Sequence, residues 1–116
     1  MKEVPMKIYD IKSDMPTKLE AGTRLANIIR EAKQANLKVI KILHGYGSTG
    51  VGGSIKQMTR TTLRNRLKNN EIKAFIPGEA FASPMGFDEV IQTYSHLIKD
   101  DKDYKKMNDG ITYVIL

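Results

Sequence analysis

The sequence has no cysteine, no tryptophan and only eight other aromatic residues, five Tyr and three Phe. Each shortage excludes something. Without cysteine there is no disulfide scaffold, no thiolate zinc site and no thiol nucleophile, and the composition fits a reducing compartment. With so few aromatics, a base-stacking platform is not evident. Long apolar runs are missing too. Val39-Ile40 and Ile42-Leu43 are separated by Lys41, and nothing approaches the roughly 18 apolar residues of a membrane span. The first residues, Met1-Lys2-Glu3-Val4-Pro5, lack the apolar core of a secretory signal, so the expected location is cytoplasmic, with no membrane partner. Two histidines and scattered acids make no metal site, and no cofactor is indicated.

What is present is a chain of 116 residues, 41% hydrophobic, which fits one domain spanning 1–116 with a small core of its own. Lys and Arg number 19 against 13 Asp and Glu, a net charge of +6. That balance points to a polyanionic partner, provided the charges are arranged to meet one.

Hydrophobic spacing orders the chain. Residues 6–11 alternate as a short strand. Residues 13–17 carry helix-start chemistry, followed by Leu19, Leu25, Ile28, Ile29 and Ala32 at helical spacing, with Gly22 on the same side and Asn36 as a left-handed stop. Residues 38–43 form the clearest strand, nearly continuous in apolar residues as a central strand covered on both faces should be. A second helix is expected from Ser54, as its cap, to about Asn69, with Ile55, Met58, Leu63 and Leu67 inward. Residues 71–76 read as a third strand ended by Pro77-Gly78, and 87–98 as a third helix. Residues 100–109 read as a polar loop, and 111–116 as a final strand. The fold class is α/β, in the order β-α-β-α-β-(α)-β.

Five of the nine glycines fall between His44 and Gly53, directly after the second strand. Glycine lets backbone approach a ligand closely, and the helix start that follows offers free N–H groups and positive dipole. Together these favour phosphate over a merely tight turn. Gly45-x-Gly47-x-x-Gly50 matches a dinucleotide-binding spacing, but Glu71 begins the next strand instead of an acid ending it, and too little chain remains for that larger sheet. A P-loop fails because Gly53 stands where its lysine belongs. On the helix after the loop, Lys56, Arg60, Arg64 and Lys68 recur every fourth residue and share one face. No acid lies between Ser54 and Asn70 to relieve their repulsion, so the stripe reads as a surface that tracks phosphates. Tyr46, in the loop, is the one aromatic placed to stack on a base.

The stretch Leu43-His44-Gly45-Tyr46-Gly47-Ser48-Thr49-Gly50-Val51-Gly52-Gly53-Ser54-Ile55-Lys56 resembles the HGxGxG signature and following helix of Smr (small MutS-related) domains. Residues 21–38 resemble that family's first helix and the approach to its second strand, 71–76 its third strand, and Gly110-Ile111-Thr112-Tyr113-Val114-Ile115-Leu116 its terminal Gly-x-Thr-x-Val strand. The resemblance implies a two-layer βαβαββ sandwich like the C-terminal domain of translation initiation factor three. Residues from about 78 to 108, with their helix, are then an insertion before the last strand. It also implies binding to DNA or RNA, branched or ribosomal in some members, and an endonuclease activity in others.

Family nucleases carry an Asp-x-His motif ending the first strand. Here the matching residues are Asp10-Ile11-Lys12, and lysine is better suited to holding phosphate than to shuttling protons near neutral pH. The nucleic-acid-binding set is Lys12, His44, Gly45, Tyr46, Gly47, Ser48, Gly50, Gly52, Gly53, Ser54, Lys56, Arg60, Arg64 and Lys68. If the domain cuts, Asp10 and His44 are the catalytic candidates, with Mg or Mn as the metal to expect. His44 has two readings, as a phosphate contact or acid/base, and as a residue that shapes the loop by bonding backbone. A small-anion or nucleotide-binding enzyme built on the glycine loop is a further alternative, and a protein-interaction domain using the inserted helix is another.

Overall fold

The structure is a computed structural model that describes residues 6–14, 16–46, 50–81 and 86–116. The strands are β1 (Lys7–Asp10), β2 (Val39–Leu43), β3 (Ala74–Pro77) and β4 (Ile111–Ile115). The helices are α1 (Lys18–Gln34), α2 (Gly50–Lys68) and α3 (Asp88–Ile98), with a 3-10 turn at Gly78–Phe81 after β3. This is the βαβαββ order with a helix inserted before the last strand. Among the described residues, no helix is long and apolar enough to cross a membrane.

The first two helices start and stop for local reasons. Thr17 and Glu20 exchange hydrogen bonds, each side chain accepting the other's backbone N–H, at 3.1 and 2.9 Å. This box satisfies two N–H groups that a helix start leaves without partners. Both helices end on an asparagine in the left-handed region, Asn36 at φ 58° and Asn70 at φ 61°. At each end two backbone bonds close the last turn, Asn36 to Lys33 with Leu37 to Ala32, and Asn70 to Leu67 with Glu71 to Arg66.

The sheet order is β1-β2-β4-β3, with β1 parallel to β2 and β4 antiparallel to both its neighbours. Alternation then sorts the side chains. Ile40, Ile42, Phe75 and Val114 meet Ala21, Leu25, Ile29 and Ala32 of α1 and Ile55 and Leu63 of α2. On the other face, Ile76, Ile111 and Tyr113 meet Val90, Ile91, Tyr94, Leu97 and Ile98 of α3. The inserted helix thus covers the sheet face that α1 and α2 leave open.

Four details depart from the sequence reading. Leu19 is 81% exposed, because at ~100° per residue it lies about 200° round the helix from Ala21. Leu67, in the last turn of α2, is also exposed. The helix α2 begins at Gly50, so Ser54 lies inside it instead of capping it. Glycine's weak helix propensity, about 1 kcal/mol per residue, works against a helical turn through the glycines, yet the turn forms. The third strand begins at Ala74, since Glu71 is spent closing α2, its backbone bonded to Arg66 and its carboxylate 3.2 Å from the Arg66 guanidinium.

Residues 100–109 are more than a polar loop. Lys41, in the middle of β2, is fully buried on the α3 face. Its ammonium donates to both Asp101 oxygens, at 3.0 and 2.9 Å, and to Asp103 at 2.7 Å. The Tyr113 hydroxyl donates to Asp101 at 2.7 Å. Burial pushes the Tyr113 phenol up, and the neighbouring Asp101 carboxylate reinforces this. Burial alone would raise the Asp103 carboxyl, but the Lys41 and Asn108 hydrogen bonds and the Lys41 charge hold it below the usual range. Asn108 donates to Asp103 at 3.2 Å and accepts the Gly110 N–H at 2.9 Å, which carries the network to the start of β4.

Breaking a buried pair leaves a charge without its counter-ion. Lys41→Ala should therefore cost about 3–5 kcal/mol, read as a large drop in the urea midpoint or as loss of folding. A change below about 1 kcal/mol would show that the cluster is solvated and adds little.

Candidate nucleic-acid interface

Parallel pairing brings the ends of β1 and β2 to one edge, with Asp10 opposite Leu43. Asp10, Lys12 and His44 therefore leave the sheet side by side. The Asp10 carboxylate folds back on its own turn. It accepts the Lys12 and Ser13 backbone N–H groups at 2.8 and 3.0 Å and the Ser13 hydroxyl. Burial opposes ionisation, but these bonds and the Lys12 charge together outweigh it and hold the carboxyl below its usual range. The Lys12 ammonium is 3.8 Å away and half exposed. No hydrogen bond joins Asp10 to His44 among the described residues.

His44 is fully buried, and both ring nitrogens have partners. Nδ1 lies 2.9 Å from the Gly45 carbonyl oxygen, which only accepts, so Nδ1 carries the proton. Nε2 then accepts from the Thr112 hydroxyl at 2.8 Å. The same hydroxyl oxygen accepts from Arg60 Nε at 3.0 Å. Burial pushes the imidazole down to about 4, and the Arg60 and Lys56 charges add to this against the Gly45 carbonyl and Glu79. The ring is therefore neutral at pH 7. Of the two roles open to His44, its contacts match the one that shapes the loop.

The backbone adds to the hold. The Gly110 carbonyl accepts from both the His44 and Gly45 N–H groups, at 3.0 and 3.1 Å. Gly45 sits at φ +88°, where a side chain is strained, and a Cβ there would press on the Lys12 chain at 3.3 Å. A Cβ on Gly110 would come within 3.4 Å of Gly45 and the Tyr46 ring. Tyr46 rests against that glycine and is 63% exposed, which leaves its ring open to a base.

The basic face of α2 divides into two halves. The Arg60 guanidinium grips both oxygens of Glu79, at 3.1 and 2.9 Å. Burial would raise the Glu79 carboxyl, but the Arg60 hydrogen bonds and the two nearby cations hold it low. Lys56 lies 3.4 Å from Glu79 and 3.6 Å from Asp109. Arg60 is thus engaged within the protein, bonded to Glu79 and to Thr112. Arg64 and Lys68 are exposed, and no ion pair holds them among the described residues. They stand about 12 and 18 Å along α2 from Lys56.

Gly47 and Ser48 lie outside the described residues. Gly50, Gly52 and Gly53 fall in the first turn of α2, which carries no acid, and Ser54 is exposed just beyond. Glu79, Asp109 and Thr112 escaped the sequence reading as site residues. The signal for the acids was indirect: Lys56 and Arg60, unrelieved on their own helix face, find carboxylates elsewhere in the fold. Among the described residues, no three His, Asp or Glu side chains group closely enough to hold a metal ion.

The Smr domain family model matches residues 15–87. The crystal structure of the Smr domain of Thermus thermophilus MutS2 is similar over 96% of this chain and 98% of that one, with a TM-score of 0.57 and 22% identity. At that identity the likeness is one of fold. No curated protein matches the chain in sequence.

The buried imidazole makes stability depend on pH. An unfolded chain takes up the His44 proton below about 6.5 and the folded one only near 4. The stabilisation is whole above pH 6.5 and is lost as pH falls towards 4, by about 3 kcal/mol in all. Urea unfolding of wild type and His44→Gln at a series of pH values should show this loss in the wild type alone. Parallel curves would mean that the ring is not buried as a neutral base.

Proposed function

The chain belongs to the Smr domain family, and on that footing we propose that it binds DNA or RNA along the strand-end edge and does not cut it. Smr domains generally bind nucleic acid, and some nick it. The observation that carries the proposal is the convergence at one edge of Lys12, the exposed Tyr46 and the acid-free start of α2. A helix start offers N–H groups and positive dipole to a phosphate, and Lys12 and Lys56 add charge on either side. Arg64 and Lys68 extend the surface along α2. The inserted helix α3 packs on the opposite face of the sheet. A cytoplasmic location, read from the sequence, belongs to the same proposal.

Binding without cleavage is supported by His44. A general acid or base must exchange protons at a nitrogen within reach of substrate. Both nitrogens of this ring are engaged, and the ring is buried and neutral. Lys12 occupies the position where family nucleases carry a histidine. An endonuclease using Asp10 and His44 would have to free His44 from Thr112 and Asp10 from its own turn.

The test is a salt-titrated binding curve with labelled single-stranded RNA, duplex DNA and branched DNA. Neutralising Z phosphates on duplex DNA gives a log–log slope of about −0.9Z. Replacing Lys12, Arg64 and Lys68 together by Ala should weaken binding and flatten that slope by roughly 2 to 3. Arg60 is left intact because its loss would also unseat Thr112. No binding to any polymer at low salt, or an unchanged slope, would contradict the proposal. Product that accumulates with time and vanishes in Asp10→Asn would favour the endonuclease.

A further inference from the structure

Lys56 differs from its neighbour on the basic face in how firmly it is held. Arg60 has two bonds to Glu79 and one to Thr112, so its guanidinium is committed. Lys56 sits 3.4 Å from Glu79 and 3.6 Å from Asp109, both longer than the roughly 2.7–2.9 Å of a charge-assisted hydrogen bond. The Glu79 carboxylate is already matched by Arg60, and its hold on Lys56 is secondary. The Asp109 side chain is the more exposed acid, 45% against 32% for Glu79. Asp109 has no other cation within ion-pair distance among the described residues.

The position of this loose pair is what matters. Asp109 precedes Gly110, whose carbonyl holds the His44 and Gly45 N–H groups and against which Tyr46 rests. Lys56 lies in the second turn of α2, just past the glycine-rich start. A phosphate arriving at the loop therefore meets a lysine already partnered by an acid.

We propose that Lys56 exchanges Asp109 for a nucleic-acid phosphate on binding, and that Asp109 is a built-in competitor which makes the site select a polymer over a single phosphate. This rests on the nucleic-acid reading and adds the choice of ligand. A lone phosphate must displace Asp109 and then sit beside the carboxylate it has displaced, and like charges a few ångströms apart repel. A polymer places further phosphates near Lys12, Arg64 and Lys68 and releases counter-ions at each. Those added contacts offset the local repulsion, and a mononucleotide or inorganic phosphate has none of them.

A double-mutant cycle tests the exchange. The proteins are wild type, Asp109→Asn, Lys56→Ala and the double variant. The probes are labelled single-stranded RNA, labelled duplex DNA and inorganic phosphate. Asp109→Asn should bind the polymers tighter, on the order of fivefold at low salt, with the gain fading as salt rises. In the Lys56→Ala background the gain should shrink by roughly half or more, since no lysine is then released. Glu31→Gln makes the same change of charge near the far end of α1 and should leave affinity unaltered. Inorganic phosphate should compete poorly with wild type and better with Asp109→Asn. The exchange is overturned if wild type binds and Asp109→Asn gains nothing, or gains as much without Lys56 as with it. If no variant binds either polymer, the nucleic-acid reading falls and this inference with it.

Discussion

At the end of β2, one neutral imidazole joins three segments of the chain that are distant in sequence. Through Nδ1 it holds the Gly45 carbonyl, and through Nε2 it reaches Thr112 on β4 and, one bond further, Arg60 on α2. Gly110 closes the same joint from the backbone side. A buried polar group left without a partner costs about 1–3 kcal/mol, so the members of this chain sustain one another. The positive φ of Gly45, the bare α-carbon of Gly110 and the exposure of Tyr46 follow from how tightly the two segments meet. The segment from His44 to Tyr46 and the segment from Gly110 to Thr112, distant in sequence, are the two halves of one structural unit.

A second polar network works from the other face of the sheet. Lys41 fastens residues 100–109 through Asp101 and Asp103, and Asn108 passes the connection on to the Gly110 N–H. Gly110 is thus fixed from both sides, by the inserted segment through its N–H and by the loop through its carbonyl. The interface edge is also less positive than the net charge of +6 would imply. Asp10, Glu79 and Asp109 each stand beside a cation. Among the described residues, Arg64 and Lys68 are the cations of α2 that no carboxylate holds.

Much of this was legible in the sequence where the cause is local. A helix start within residues 13–17, left-handed asparagine at the end of α1 and apolar spacing at positions 25, 28, 29 and 32 act within a turn or two. The structure then pairs β1 with β2 in parallel, which brings Asp10, Lys12 and His44 to one edge. What was not legible arises from partners distant in sequence. Lys41 reads as an interruption of an apolar run until Asp101 and Asp103, some 60 residues on, fold over it. Arg60 reads as a free cation until Glu79 takes it. Ser54 and Leu19 were misplaced because capping preference and hydrophobicity say where a residue is welcome, and the helix's own register decides where it goes.

The most direct test of the whole account is a map of backbone amide shifts as an unlabelled RNA or duplex DNA is titrated into isotopically labelled protein. The account predicts shifts at Lys12, at Gly45 and Tyr46, in the first two turns of α2 and at Gly110, extending to Arg64. Shifts confined instead to the exposed side of α1 around Leu19, or to α3, would place the interface elsewhere and contradict it.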